Sequence, residues 1–423
     1  VKAALSLHHR VLPPTLNISQ PNPGWTPASP FVMSPVAKPW VAGKRYAGVS
    51  AFGFGGTNFH AVLGAYQPEQ PAVGLKRWPA ELFLLRGEDR AAALARADKL
   101  ARFAAADRPL AELARAANEG TGRVQIAIVA RDAADLAKKI AAAREGKAQN
   151  SGVFLAPDAP DAAAKLAFLF PGQGSQRVGM LGDLFVAFPE LHRYLEQGAR
   201  WKGTIFPPTA WTPDEEQAQQ AAVTDTRVAQ PALGIGGLAM ASLLARFGVR
   251  PDMLAGHSYG ELVALAVAGA LPESALLDLS ELRGRRILEA TAGADDAGTM
   301  AAVASDRDTI AAQIAGIEGV VIANENSPEQ SVISGPKRAV EAAVEKLLAA
   351  SVAAKPIPVA CAFHSPLVRG ACTAFAKDLA AVAVSAPAAT VYSNTTTGVY
   401  PDDPAAIRML DTLCEIYRRP DKG

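Results

Sequence analysis

The spacing of apolar and polar positions predicts a small α/β unit within residues 66–164. Two runs, Glu81–Leu85 and Val124–Ala130, have the composition of strands. Helical periods surround them, and the predicted helices are Asp89–Ala106, a helix that begins after Pro109 and stops at Asn118-Glu-Gly120, and Ala133–Glu145. The pattern does not bring His, Ser, Cys or paired carboxylates together at one place. We therefore interpret the unit as a spacer or docking domain that follows a Pro-rich linker, Gln67–Pro71.

From Lys165 onward the pattern predicts buried strands that each lead into a helix. Leu166–Phe170 is such a strand, followed by a tight Gly-rich turn and a helix that opens near Met180. A helical period over Gln230–Phe247 precedes a second strand from Met253. This strand ends in Gly-His-Ser258-Tyr-Gly, and an apolar helix follows it. Strand, sharp turn and helix are typical of a parallel α/β sheet that exposes a serine at its edge.

The segment after this turn predicts a long helix and then an inserted subdomain. The helix, Pro272–Thr291, carries Arg283, Arg285 and Arg286 on or near one face. The next six elements read β-α-β-β-α-β, at Met300–Val303, Ser305–Gly316, Val320–Ala323, Gln330–Ser334, Pro336–Ala350 and Ala353–Val359. This order is that of a ferredoxin-like unit, which we expect over about 298–360 as a roof on the cleft beside the serine.

Residues 1–65 follow no single period. An amphipathic start at Val1–Leu7 gives way to a proline-rich stretch and then to two strand-like pieces around a Gly-rich loop. A phosphate cradle is not favoured, because the loop lacks both a following Lys-Ser/Thr and the Gly-x-Gly-x-x-Gly spacing. The chain opens on valine and goes straight into a helix, so we expect it to be part of a longer polypeptide.

Composition excludes several classes of function. The chain has 423 residues, 49% of them hydrophobic, and a net charge of +1 with no basic run, so neither nucleic acid nor a membrane is an expected partner. No stretch resembles a signal peptide. The cysteines, Cys361, Cys372 and Cys414, lack metal-like spacing and suit a reducing cytoplasm. We therefore expect a cytoplasmic protein without a metal site.

A serine nucleophile at Ser258 would need a base and oxyanion donors. We assign the donors to the backbone N–H groups of Tyr259, which begins the helix, and Gln173, in the early Gly-rich loop. The remaining histidines are less well placed: His8, His9 and His60 lie in the first segment, His192 in a polar helix, and His257 beside the serine. His364 follows a strand and precedes Pro366, which favours it as the base over a structural histidine in a turn.

Two sets of motifs resemble parts of type I synthases. The segment His9-Arg-Val-Leu-Pro-Pro-Thr-Leu and the loop Gly-Phe-Gly-Gly-Thr-Asn-x-His are similar to the C-terminal end of a β-ketoacyl synthase, over residues 1–65. Residues 66–164 then resemble the linker that leads to an acyltransferase. Residues 165 to about 394 resemble the malonyl-CoA:acyl carrier protein acyltransferase family, on Phe-Pro-Gly-Gln-Gly-Ser-Gln, Gly-His-Ser-Tyr-Gly-Glu, Leu-Arg283-Gly, Asn324-Glu-Asn-Ser-Pro and Ala-Phe-His364-Ser-Pro.

The resemblance implies a fold and a set of roles. The fold is an α/β-hydrolase-like acyltransferase core with a parallel sheet and the inserted subdomain, preceded by the small α/β linker domain. Ser258 is then the acylated nucleophile, His364 its base, Arg283 the clamp on the malonyl carboxylate and Gln173 a contributor to the oxyanion hole, while Arg285 and Arg286 become surface residues. No cofactor is implied in this region. Malonyl-CoA is the substrate, and the partners are an acyl carrier protein with its phosphopantetheine and the rest of the synthase polypeptide.

The resemblance also indicates the acyl group and the type of synthase. Cys361-Ala-Phe363-His364 is similar to the His-Ala-Phe-His of malonyl-selective members, and Phe363 would fill the space that an α-methyl group needs; Cys361 departs from that pattern. Gly-His-Ser-Tyr-Gly-Glu is more like iterative synthases of enediynes or polyunsaturated fatty acids, and we favour the enediyne type. The motifs that normally end the domain are not legible in 400–423, so we expect an atypical or truncated end to the 165–423 domain, with no candidate for the group that orients His364.

Two other functions remain open on the residues alone. A serine hydrolase or thioesterase of the α/β-hydrolase class shares the Gly-x-Ser-x-Gly motif, but it requires an acid between serine and histidine and has no use for Arg283. Asp306, Asp308 and Glu325 are the available acids, and none of them ends an obvious strand. A non-catalytic docking fragment is the third alternative, which the first 164 residues suggest.

Overall fold

A computed structural model describes residues 1–26, 28–66, 78–104, 108–148, 152–157, 164–292 and 296–408. The described residues form two compact units. One is drawn from residues 74–164, and the other from residues 1–73 together with 165–423. The predicted linker Gln67–Pro71, Cys414 and most of the 400–423 segment lie outside the described residues.

The N-terminal segment belongs to the larger unit. Its elements are α1 Lys2–His9, β1 Val11–Leu12, β2 Lys38–Pro39, β3 Tyr46–Phe52 and β4 Asn58–Gly64. Strands β3 and β4 pair as an antiparallel hairpin, which confirms the two strands predicted around the Gly-rich loop. The proline-rich stretch is anchored by side chains from residues 165 onward: Lys202 Nζ donates to Val41 O at 2.6 Å and Thr209 Oγ1 donates to Met33 O at 2.9 Å.

The smaller unit is the predicted α/β unit with one further strand. Its elements are β5 Glu81–Arg86, α2 Arg90–Ala104, α3 Leu110–Asn118, β6 Val124–Ala130, α4 Ala133–Arg144 and β7 Val153–Leu155. The sheet is antiparallel in the order β5-β6-β7. Alternate residues of the strands, such as Phe83 and Ile126, are fully buried against the helices. The short strand β7 escaped prediction because its three residues are too few to establish a period.

The core of the larger unit begins with a strand and a run of helices. Its elements are β8 Ala167–Phe170, α5 Gly182–Ala187, α6 His192–Gln197, α7 Ala199–Ile205, α8 Pro213–Thr224, α9 Thr226–Arg246, β9 Met253–Gly256, α10 Gly260–Val267 and α11 Glu273–Thr291. Thr212 and Glu215 form a capping box at the start of α8, and the Asp225 side chain accepts from Arg227 N at the start of α9. These caps explain why two helices follow one another without a longer loop.

Helix α9 is long and apolar enough to cross a membrane by length and composition, with a mean hydropathy of 1.5. However, 67% of its most apolar 18-residue stretch is buried inside the protein, where these residues pack in the main hydrophobic core. Its side chains therefore find their apolar partners within the fold, as in the core helix of a globular unit.

The inserted subdomain comes next and is followed by the last elements of the core. Its elements are β10 Thr299–Val303, α12 Arg307–Ile314, β11 Val321–Ser327, β12 Gln330–Gly335, α13 Lys337–Ala349 and β13 Ala354–Ile357. All neighbours in the order β11-β12-β10-β13 are antiparallel, which confirms the ferredoxin-like prediction. Helix α14, Arg369–Ala380, and strand β14, Thr390–Val391, return to the core, where β14, β9 and β8 form a parallel sheet.

Candidate active site

Ser258 stands on a sharp turn between β9 and α10. Its φ is +49°, in the left-handed region that a serine rarely adopts, and such a turn holds the side chain clear of the sheet edge. The two glycines of the motif make this turn possible. A Cβ on Gly260 would lie 2.2 Å from Phe170 O, and one on Gly256 would lie 1.9 Å from the backbone of Gly260. The sheet and the helix can therefore meet only where side chains are absent.

The structure brings Ser258 and His364 together across 106 residues of sequence. Ser258 Oγ lies 2.9 Å from His364 Nε2, a distance at which the hydroxyl can donate to the ring nitrogen. His364 is 8% exposed and also has a positive φ, of +58°. A serine within hydrogen-bond reach of a buried imidazole is the arrangement of an activated nucleophile.

Arg283 lies in the same site, on α11. It is only 2% exposed, and its charge acts on the neighbouring thiols of Cys361 and Cys372. Burial raises the pKa of the Cys361 thiol to about 12, against the opposing effect of the Arg283 charge. A buried guanidinium that lines a cavity is suited to bind a carboxylate through two parallel hydrogen bonds.

The other arginines of α11 have different positions. Arg285 is exposed, as expected for a surface residue, and pairs with Glu281. Arg286 also lies at the surface, where its side chain is 28% exposed and forms a fork with Asp378 of α14 at 2.7 and 2.9 Å. The hydrogen bonds with Asp378 and Glu289 raise the pKa of Arg286. This arginine therefore joins two helices, while Arg283 faces the cavity.

The Gly-rich loop after β8 reaches the same cavity. Gly174 has a φ of +113°, and its N–H donates to the side chain of Gln176. The Gln173 side chain is held between two residues of α9: its Nε2 donates to Thr226 Oγ1 at 3.1 Å, and its Oε1 accepts from Gln230 at 3.3 Å. These bonds fix the loop beside Ser258, where its backbone is predicted to help bind an oxyanion.

Tyr259 contributes differently from Gln173. Its side chain is fully buried, and its hydroxyl lies 2.7 Å from Ser280 Oγ on α11. The ring therefore ties the turn, at the start of α10, to the core. The role of its backbone N–H as an oxyanion donor stays a prediction.

A cavity of about 650 Å³ lies between the core and the inserted subdomain. The core contributes Gln173, His257, Ser258, Arg283, Phe363 and His364, and the subdomain contributes Met300, Asn324, Asn326, Val332 and Ile357. As predicted, the subdomain forms one wall of the cleft. Phe363 packs on its apolar face, in a cluster with Met300 and Val332.

A second cavity of about 70 Å³ adjoins Ser258 and His364. It is lined mainly by polar groups, including Asn324, Asn326, Asn394 and Thr395. His257 Nε2 lies 3.1 Å from Asn326 Oδ1, which links the turn to the subdomain. The sequence singled out the Asn324 motif, but its spacing alone did not predict this contact.

Sequence reasoning also missed Glu261. This carboxylate is fully buried, three residues after the nucleophile, and accepts from Asn394 N at 3.2 Å and from the Asn394 side chain. Burial raises the pKa of Glu261, while the hydrogen bonds from Tyr400, Asn394 and Ser393 lower it. Only its place in the Gly-His-Ser-Tyr-Gly-Glu motif pointed to it. The bonds fasten the segment after β14 to the turn that carries Ser258.

Two of the three acids that a hydrolase could use have other partners, and the third is exposed. Asp306 caps α12 through Thr309 N at 2.9 Å, and Glu325 pairs with Arg307. Asp308 is exposed in the first turn of the same helix. Within the described ranges no group of three or more His, Cys, Asp or Glu side chains could hold a metal ion.

Residues 167–407, more than half of the chain, match the family described as the acyl transferase domain. The chain belongs to this family. It is an acyltransferase, with an α/β core, a parallel sheet and a small antiparallel subdomain. Residues 21–126 match a second family, the ketoacyl-synthetase C-terminal extension.

The acyltransferase is similar to part of a synthase and to two solved structures. It is 32% identical to mycoketide-CoA synthase of Mycobacterium tuberculosis over 95% of this chain, but it spans only 10% of that protein. It is 32% identical to an acyl carrier protein S-malonyltransferase from Vibrio cholerae, with a TM-score of 0.54 over 60% of this chain and 82% of the other. It is 27% identical to the acyltransferase domain of an iterative polyketide synthase in enediyne biosynthesis. The TM-score is 0.59, and the match covers 80% of this chain and 81% of the other.

Proposed function

We propose that this acyltransferase moves a malonyl group from malonyl-CoA to the phosphopantetheine thiol of an acyl carrier protein, within a polyketide synthase. The observation that carries the proposal is the buried Arg283 in the cavity of the Ser258–His364 pair. A plain esterase needs no buried cation there. An enzyme that carries a diacid needs one to bind the free carboxylate.

The proposed chemistry has two halves. In the first, Ser258 Oγ attacks the thioester carbonyl while His364 Nε2 takes its proton; the carbonyl–sulfur bond breaks, and coenzyme A leaves with that proton. In the second half, the carrier-protein thiol gives its proton to His364 and attacks the malonyl-serine ester. The ester C–O bond breaks, His364 returns the proton to Ser258 Oγ, and the malonyl group leaves as a thioester on the carrier protein. The N–H groups of Tyr259 and Gln173 stabilise the oxyanion in both halves.

Phe363 supports malonyl as the acyl group. It stands next to the base, and its ring fills part of the cavity against Met300 and Val332. A substituent on the α-carbon of the acyl group would meet this apolar wall. The name of the Vibrio cholerae relative supports the same choice of acyl group and carrier.

The proposal extends to the arrangement of the chain. Residues 1–65 are the end of a ketosynthase, 66–164 the linker domain and 165–423 the acyltransferase, with the subdomain at about 298–360. This order is supported by the match of residues 21–126 to the ketoacyl-synthetase C-terminal extension and by the similarity to mycoketide-CoA synthase, which is ten times longer. The similarity to the acyltransferase domain from enediyne biosynthesis supports an iterative, enediyne-type synthase. Two buried free cysteines, Cys361 and Cys372, suit the cytoplasm proposed for it.

Mass spectrometry of the intact protein tests the nucleophile and the acyl group together. After separate exposure to malonyl-, methylmalonyl- and acetyl-CoA, we expect one malonyl adduct on Ser258 and little of the other two. Ser258→Ala should abolish it, while Ser175→Ala, at an exposed serine of the Gly-rich loop, should leave it unchanged. Acylation that persists at another residue would refute the assignment, and release of free malonate without a carrier protein would favour a hydrolase.

A further inference from the structure

The base of this site is held in an unfavourable backbone conformation. His364 has a φ of +58°, which is unfavourable for a residue with a Cβ and persists only where its surroundings impose it. The orientation of the 363–364 peptide plane is part of this conformation. If that plane could rotate, His364 would relax to a negative φ and its ring would leave Ser258.

Neighbouring hydrogen bonds hold the flanks of this peptide. Ser365 Oγ donates to Ala362 O at 2.7 Å, and Ala362 N donates to Ala297 O at 3.0 Å. The carbonyl of the 363–364 peptide itself is bound from the subdomain: Ser334 Oγ donates to Phe363 O at 2.7 Å. Ser334 is fully buried at the end of β12, opposite Met300 of β10.

We propose that Ser334 is a positioning residue for His364. Its hydroxyl fixes the plane of the 363–364 peptide, which sets the φ of His364 and hence the 2.9 Å separation between Nε2 and Ser258 Oγ. The inference rests on the proposed function, because it assigns Ser334 a role in the reaction of that same pair. It also means that the subdomain positions the base as well as lining the cleft.

A positioning role predicts a defect in chemistry rather than in binding. In Ser334→Ala the Phe363 carbonyl loses its donor, and the first-order rate constant for malonylation of Ser258 should fall by about tenfold or more, a part of what a general base supplies. The KM for malonyl-CoA should stay near that of the wild type. Because a misplaced base leaves proton removal to hydroxide, the rate in this variant should keep rising with pH where the wild type reaches a plateau.

Rapid-quench malonylation of the full chain, followed by mass spectrometry over a pH series, measures these quantities. Ser334→Thr keeps the hydroxyl and should restore most of the rate. Ser331→Ala is the matched control, since Ser331 is also buried on β12 but pairs with Val303, at the other end of β10. If Ser334→Ala does not fold, Ser334→Cys, with a weak donor of similar size, takes its place.

The outcomes separate this inference from the proposed function. If the wild type is malonylated on Ser258 and Ser258→Ala is not, the function holds whatever Ser334 does. A Ser334→Ala rate equal to that of Ser331→Ala, a change in KM alone, or a wild-type pH plateau would overturn the positioning role. A wild type that takes no malonyl group would instead refute the function.

Discussion

At the scale of single residues, the site depends on groups in conformations or surroundings that they usually avoid. Ser258 and His364 both have positive φ, and Arg283 carries its charge into a buried position. Each of these is costly by itself and is maintained by the packing around it. Such costs are typical of functional sites, where chemistry rather than stability selects the geometry.

Arg283→Ala tests the clamp. Without the guanidinium the malonyl carboxylate loses its charge-assisted hydrogen bonds, and malonyl loading should fall by about a hundredfold, on the order of 3 kcal/mol. Acetyl loading should change far less, since acetyl has no free carboxylate. Arg285→Ala, at the exposed arginine two residues on, is the control and should leave both unchanged. Equal losses for malonyl and acetyl, measured by adduct formation, would refute the clamp.

At the scale of elements, close contact between β8, β9 and α10 is what presents Ser258. This contact depends on backbone packed against backbone, because a Cβ at Gly260 would lie 2.2 Å from Phe170 O and 2.9 Å from Pro171 O. Neither atom can move without disturbing the sheet. The Gly-x-Ser-x-Gly motif therefore specifies how near a helix comes to a strand as well as naming a nucleophile.

Gly260→Ala should consequently disrupt the contact between β8 and α10. We expect a loss of about 3 kcal/mol or more in the free energy of unfolding, together with loss of malonylation, because the overpacked atoms are main chain. Gly203→Ala is the matched control: this glycine lies in α7 with nothing within 4 Å of its ideal Cβ, and it should be neutral or stabilising by about 1 kcal/mol. Urea unfolding of both variants measures the difference, and equal midpoints would contradict the argument.

At the scale of the whole molecule, His192 links the packing of the larger unit to pH. The sequence placed it in a polar helix, but it is 1% exposed, and its Nε2 lies 2.8 Å from Phe185 O. Burial, together with the charges of Arg10 and Arg45, lowers the pKa of His192 to about 4 against the raising effect of the Phe185 bond. The N-terminal segment thus supplies two of the charges that keep this imidazole neutral.

This pKa predicts acid sensitivity. The histidine has a pKa near 6.5 in the unfolded state and about 4 in the folded state. Between these values only the unfolded state binds the proton, so the folded state loses stability as pH falls from 6.5 towards 4. At pH 5 the loss should be about 2 kcal/mol relative to neutral pH. His192→Gln keeps a donor for Phe185 O and should remove this loss, while His8→Gln, at an exposed histidine, should not.

Urea unfolding at pH 7.5 and pH 5, followed by tryptophan fluorescence, measures the effect. The buried Trp201 belongs to the same unit as His192 and reports on its unfolding. If wild type and His192→Gln lose equal stability between the two pH values, another group is responsible for the acid sensitivity.

The order of the elements and the local geometry of the turn could be predicted from the sequence. The β-α-β-β-α-β order, the strand before Ser258 and the helix after it follow from periodicity and from glycines whose steric requirements concern near neighbours. The family motifs then named Ser258, His364 and Arg283 as one set, and the roles proposed for them rest on that resemblance together with the geometry.

Which of these groups meet depends on tertiary packing. Ser258 and His364 are 106 residues apart, and Glu261 and Asn394 are 133 apart, so no local period could predict their contacts. The burial of His192, the fork between Arg286 and Asp378, and the bond from Ser334 to Phe363 likewise depend on which face of an element meets a distant partner. A period in the sequence predicts that an element has a buried face, but the identity of the atoms beneath that face is set when the whole chain packs.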